Sequence, residues 1–254
     1  MMSELFTRQS VGALFFLIVA SFIASLARGF SGFGGALIFM PLASAAVGPQ
    51  AAAPILLVID GVAQLALLKS AWREADRQEV AIMAAGALIG IPLGAAILRS
   101  VDPILLRWAI AALIIAMLAL LISGWRYHGR PTPATTGSVG FAAGILSGAV
   151  QTAGPPIVAY WLGGSGAALT VRANIILFFF CTSVVAAISY VATGLLGVHV
   201  LLLALITAPF YALGMYLGTR MFGLASERLF RRICLALIAG AALVSLPTFD
   251  SILR

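Results

Sequence analysis

One glycine-rich segment occurs twice in this chain, and each copy interrupts a long apolar stretch. The first copy covers residues 28–42, RGFSGFGGALIFMPL, and the second covers residues 148–162, GAVQTAGPPIVAYWL. Lipid cannot hydrogen-bond to free backbone groups, so a break in a membrane helix is stable only where it faces protein or water. Paired breaks at matching positions of two halves are typical of the binding site of a transporter.

The overall composition places the chain in a membrane. Hydrophobic residues make up 62% of the 254 residues and charged residues only 9%, whereas soluble domains carry about 25% charged residues. So few charged side chains cannot cover a water-facing surface. The apolar runs are continuous rather than alternating, which indicates membrane helices and not the strands of a β-barrel. We therefore expect an all-α polytopic membrane protein.

A second pair of matching segments indicates an internal duplication. GIPLG at 90–94 and GMYLG at 214–218 lie 124 residues apart, and Gly34 and Gly154 of the glycine-rich motifs lie 120 residues apart. We predict a first transmembrane repeat at 1–124, a cytoplasmic linker at 125–137, rich in Pro and Gly, and a second transmembrane repeat at 138–254. The apolar runs cover 11–28, 33–47, 51–69, 80–98, 103–124, 138–151, 154–165, 171–193, 198–219 and 229–248.

The distribution of basic residues predicts that the two repeats are inverted. The loop at 69–79 contains three Lys or Arg residues, whereas its counterpart at 193–199 contains none, so the two loops should lie on opposite faces of the membrane. We expect each repeat to consist of a re-entrant or broken helical hairpin followed by three transmembrane helices. The hairpin at 138–165 has only about 28 residues, too few for two spans of roughly 20 each. An eight-helix 4+4 arrangement is the alternative.

The residues at the two breaks predict an anion-binding site. A new helix should begin near Gly34 and another near Pro155, and a helix N-terminus offers free N–H donors and a partial positive charge. Neutral side chains add further donors, and the guanidinium of Arg28 fits the oxygens of a carboxylate, sulfonate or sulfite. We expect the anion to lie between 28–35 and 151–156. The alternative is that the glycines only allow tight helix packing and Arg28 reaches an interface. The predicted substrate-binding residues are Arg28, Ser31, Gly32, Gly34, Gly35, Gln151, Thr152, Gly154 and Pro155.

Asp60 is the one acidic residue well inside an apolar run, and Gln64 follows one helical turn later. An ionisable residue within a membrane span is costly and is a functional candidate by default. Asp60 is predicted to carry a proton that couples transport to the proton gradient. Two alternatives remain: it is the counter-ion of Arg28, or it faces a wet vestibule or a helix end.

The chain offers neither a Cys/His cluster with metal-ligand spacing nor a nucleophile–His–acid set. We therefore expect no enzymatic activity, no metal and no other cofactor. Most Lys and Arg residues lie at the ends of spans, so the net charge of +7 is interpreted as a determinant of orientation and not as nucleic-acid binding. The expected partners are a small anion and the lipid bilayer, and homodimerisation is left open.

The two motifs, RGFSGFGG at 28–35 and GAVQTAGPP at 148–156, resemble the paired signatures of the TauE/SafE sulfite-exporter family. The resemblance covers essentially the whole chain, although QTA at 151–153 departs from the commoner second signature, in which glycine and small residues are more usual. It implies a multi-pass permease of the bacterial inner membrane for a small anion such as sulfite, an organosulfonate or a small carboxylate, with export as the expected direction. A passive anion channel and a non-transporting membrane assembly protein are the alternatives.

Overall fold

The computed structural model describes residues 11–31, 34–129, 131–164, 167–221 and 227–249. These residues form ten α-helices and one short 3-10 helix, Pro247–Phe249, and contain no β-strand. The α-helices are α1 (Val11–Ser31), α2 (Gly35–Val47), α3 (Pro49–Glu74), α4 (Arg77–Ser100), α5 (Pro103–Ser123), α6 (Pro133–Val150), α7 (Gly154–Trp161), α8 (Ala168–Ala192), α9 (Val198–Met221) and α10 (Glu227–Val244).

Five of the described helices are long and apolar enough to cross a membrane. The candidate spans are Val11–Phe30, Arg77–Ser100, Pro103–Ser123, Leu169–Ala192 and Val198–Met221. Many of their large apolar side chains point outward; Leu205, for example, is 70% exposed. Such a surface suits lipid and not water. The prediction of an all-α polytopic membrane protein is confirmed.

The helix that follows each break is much shorter than a full span. α2 has 13 residues and α7 has eight. At 1.5 Å per residue, α7 extends about 12 Å, whereas the hydrocarbon core of a bilayer is about 30 Å thick. The inverted topology of the two hairpins stays a prediction.

α6 begins earlier than the apolar pattern predicts, at Pro133, within the segment expected to be a linker. Thr132 is the N-cap residue: its hydroxyl accepts a hydrogen bond from the N–H of Thr135, and the side chain of Thr135 accepts one from the N–H of Thr132. Pro133 at the first helical position fits this start, because its missing N–H would be unpaired there in any case.

The chain divides into two compact units, and each draws on both predicted repeats. The first consists of Met1–Ile59, Val101–Leu118 and Gly197–Arg254, and the second of Asp60–Ser100 and Ala119–Leu196. Within the first unit, α1 packs on α9 and α2, and α2 packs on α10. Within the second unit, α6 packs closely on α4, and α8 packs on α4 and α6. The helix before each break is therefore supported by a helix from the other predicted repeat.

Glycines bring the backbones of α4 and α6 into direct contact in the second unit. A Cβ atom added at Gly90 would overlap the carbonyl oxygen of Phe141, and one added at Gly94 would overlap that of Ile145. From the opposite side, a Cβ at Gly148 would overlap the carbonyl oxygen of Ile91. Lipid supplies no hydrophobic force between helices, so close van der Waals contact through small residues stabilises such pairs.

The first unit repeats this contact between α1 and α9. A Cβ atom at Gly218 would overlap the carbonyl oxygen of Leu26, and one at Gly29 would overlap that of Met215. Glycines spaced four residues apart thus allow close packing in both helix pairs.

The contact between α4 and α6 predicts opposite effects for two Gly→Ala substitutions. Gly90→Ala should lower thermal stability, with a cost of about 1–3 kcal/mol, because the methyl group has no room. Gly137→Ala, on α6, should not lower it, because nothing lies within 4 Å of the added Cβ and alanine favours a helix. Thermal unfolding in detergent measures both variants. Equal thermal stability of Gly90→Ala and Gly137→Ala would contradict direct backbone contact between α4 and α6 at Gly90.

Candidate functional site

The first break separates α1 from α2 and ends at a left-handed glycine. Gly34, the N-cap residue of α2, has φ 90° and ψ −10°, a conformation that glycine adopts without penalty. No side chain caps α2. No atom lies within 4 Å of a Cβ atom built on Gly34. Gly32 and the side chain of Ser31 lie outside the described residues.

The side chain of Arg28 lies against the start of α2. A Cβ atom at Gly35 would be 2.9 Å from Cβ and 3.4 Å from Cδ of Arg28, and 3.0 Å from the carbonyl oxygen of Ala24. Only glycine leaves room for this stem. The structure therefore places the aliphatic part of the Arg28 side chain against Gly35, the first residue of α2.

The second break begins at Gln151, which closes the C-terminal end of α6. Gln151 has φ 55° and ψ 25° and is the one non-glycine residue with a positive φ among the described residues. Its N–H donates to the carbonyl of Ser147 at 3.2 Å, and the N–H of Thr152 donates to that of Leu146 at 3.5 Å. Glycine usually occupies this position, and the left-handed conformation costs other residues about 1–2 kcal/mol.

The start of α7 carries unpaired hydrogen-bond donors. No side chain caps it, and Pro155 and Pro156 have no N–H. The remaining N–H groups, those of Ala153 and Gly154, donate to no described residue. The hydroxyl of Thr152 also has no partner among the described residues, although that side chain is only 1% exposed. A buried unpaired hydroxyl is costly and calls for an explanation, such as a bound ligand.

Sequence reasoning missed Tyr190, which joins this site from α8. Tyr190 is fully buried. Its hydroxyl donates to the carbonyl oxygen of Gly148 at 2.7 Å and accepts from Nε2 of Gln151 at 3.3 Å. A tyrosine within an apolar span signals a need for a polar partner, but the sequence gives no sign that the partner lies 39 residues away.

Comparison with known proteins identifies the family. The profile described as Sulfite exporter TauE/SafE matches residues 17–245, which include both breaks. The chain belongs to the TauE/SafE sulfite-exporter family. No curated protein and no solved structure shows a significant match. TauE/SafE proteins are transporters, so membership supports a multi-pass membrane permease, in agreement with the five candidate spans.

In this TauE/SafE protein, Asp60 lies on α3 beside Gln64, as their spacing predicts. Nε2 of Gln64 donates to Oδ2 of Asp60 at 2.9 Å, and Gln64 is buried. Oε1 of Gln64 has no hydrogen-bond partner among the described residues. Both residues belong to the second compact unit, and Arg28 belongs to the first. Within the described part of the chain, no group of three or more His, Cys, Asp or Glu residues is arranged to hold a metal ion.

Proposed function

We propose that the chain transports a small anion, such as sulfite, an organosulfonate or a small carboxylate, across the bacterial inner membrane, with export as the direction. Family membership supports a permease. The observation that favours an anion is that α2 and α7, at corresponding positions of the two halves, both begin without a side-chain cap. Uncapped helix N-termini present N–H groups and a partial positive charge, which bind anions and disfavour cations.

At the first break, Arg28 would contact the anion together with the N-terminus of α2. The aliphatic part of its side chain packs against Gly35. Its planar guanidinium can donate two parallel hydrogen bonds to an oxyanion. The open space at Gly34 allows the anion to approach the backbone. Ser31 and Gly32, the preceding residues, are proposed to line the same site.

At the second break, neutral groups would hold the anion. The donors are the Thr152 hydroxyl, the Gln151 amide and the free N–H groups at the start of α7. Nothing lies within 4 Å of a Cβ built on Gly154, so an anion can reach its backbone. Pro155 fixes the helical φ of the first turn. Neutral donors favour entry of an anion without binding it too tightly for release, as transport requires.

Asp60 is proposed to carry the coupling proton. Its hydrogen bond from Gln64 orients the carboxylate, and an acid on an otherwise apolar helix segment has few structural reasons to be there. A channel without coupling is the second candidate, and saturation and trans-stimulation of flux distinguish it from a carrier.

Removal of the Arg28 charge should weaken anion binding. Arg28→Ala should raise the dissociation constant for sulfite at least tenfold, because a hydrogen bond to a charged group contributes about 1.5–3 kcal/mol. Arg172→Ala removes the same charge from an exposed position on α8 and serves as the control. Titration of purified, folded protein by ligand-induced thermal stabilisation measures both. Wild-type affinity in a folded Arg28→Ala protein would remove Arg28 from the site.

Two assays in liposomes test whether Asp60 carries the coupling proton: sulfite flux driven by a pH gradient, and sulfite exchange. Asp60→Asn should abolish sulfite flux driven by a pH gradient and leave sulfite exchange intact, because exchange moves no net proton. Gln64→Leu removes the hydrogen bond to Asp60 but keeps the carboxyl, so it should retain part of the pH-driven flux. Wild-type flux of Asp60→Asn in both assays would show that Asp60 carries no coupling proton.

A further inference from the structure

The conformation of Gln151 suggests that its side chain is needed at the second break. It occupies a left-handed position where glycine or asparagine would close the helix at lower cost. Residues held in such conformations cluster at functional sites, where other contacts maintain them. Here the backbone hydrogen bonds to the last turn of α6 close the helix, and the side chain of Gln151 donates to Tyr190.

The two hydrogen bonds of Tyr190 determine which way the Gln151 amide faces. A tyrosine hydroxyl has one hydrogen to donate, and the carbonyl oxygen of Gly148 can only accept. The hydroxyl must therefore accept from Gln151, so the NH₂ group and not Oε1 lies beside Tyr190. The two hydrogen bonds of Tyr190 thus fix the orientation of the amide, whose oxygen and nitrogen have nearly the same shape.

The other polar atoms of the Gln151 amide remain available to a ligand. The NH₂ group has a second hydrogen, and Oε1 accepts no hydrogen bond from the described residues. Gln151 is partly exposed. The amide therefore presents one donor and one acceptor. An anion with acceptor oxygens alone can satisfy the donor, but it leaves Oε1 facing negative charge without a partner. An anion that also carries a hydroxyl group satisfies both.

We infer that the second break selects small anions that carry a hydrogen-bond donor of their own, such as hydroxy-carboxylates and hydroxy-sulfonates. Gln151 is the selecting residue, and Tyr190 is a positioning residue that fixes the direction of its amide. The inference rests on the proposed function, since it requires that the transported anion binds at this break. A site built to hydrogen-bond a hydroxyl rejects an analogue without it far more strongly than an apolar pocket rejects a change in size.

Paired anions of equal size test this selectivity in the full-length protein. Glycolate and propionate differ only by OH against CH₃, as do 2-hydroxyethanesulfonate and propane-1-sulfonate. The wild type should bind the hydroxy member of each pair at least tenfold more tightly, as measured by ligand-induced thermal stabilisation. Equal affinities within both pairs would overturn the inference and leave the proposed anion transport standing. Absence of binding for all four anions and for sulfite would overturn both.

Three variants distinguish a loss of the Gln151 amide orientation from a general loss of stability in the second compact unit. Tyr190→Phe frees the Gln151 amide to rotate, so it should reduce the hydroxy preference and leave the affinity for propionate nearly unchanged. Gln151→Met removes donor and acceptor at similar length and should abolish the preference, and it carries the test if Tyr190→Phe does not fold. Tyr160→Phe is the control: it loses the buried 2.6 Å bond to Thr136 in the same unit and should keep the full preference. Loss of the preference in this control, or its retention in folded Gln151→Met, would contradict the assignment.

Discussion

The hydrocarbon core of a membrane offers no partner to a backbone N–H or C=O group, and this constraint governs the structure. Each continuous helix satisfies the constraint internally, and each break must satisfy it in another way. At the second break, the N–H groups of Gln151 and Thr152 pair with carbonyls of the last turn of α6. Tyr190 pairs with the carbonyl of Gly148. Three carbonyls near the C-terminal end of α6, those of Leu146, Ser147 and Gly148, are thus satisfied. The N–H groups of Ala153 and Gly154 at the start of α7 donate to no described residue.

Direct backbone contact between helices holds the breaks in place. Gly148 packs on Ile91 three residues before Gln151, and Gly29 packs on Met215 next to Arg28. Contacts this close leave little freedom to slide, so the last turns of α6 and α1 form a rigid base for the residues that follow. Since each supporting helix comes from the other predicted repeat, both halves of the sequence are needed to build either break.

Local sequence patterns predicted the features that depend on neighbouring residues. Two features follow from spacing along one segment: the helix starts at Gly35 and Gly154, and the pairing of Asp60 with Gln64. The rest depends on contacts between distant segments. Several helices carry faces of small residues that look alike in sequence. The sequence alone therefore could not show that α4 packs on α6. The left-handed conformation of Gln151 contradicts residue preference, and Tyr190, which accepts a hydrogen bond from its side chain, lies 39 residues away.

The proposed binding of an anion at the start of α7 can be measured in a Gly154→Ala variant. Nothing surrounds the position of the added methyl group, so the fold should be unaffected while the space for the anion is filled. The dissociation constant for sulfite should rise at least tenfold, corresponding to about 1.4 kcal/mol or more. Gly137→Ala, equally uncrowded but distant in sequence from the break, should bind as the wild type does. Unchanged affinity for sulfite in folded Gly154→Ala would show that no anion binds beside Gly154.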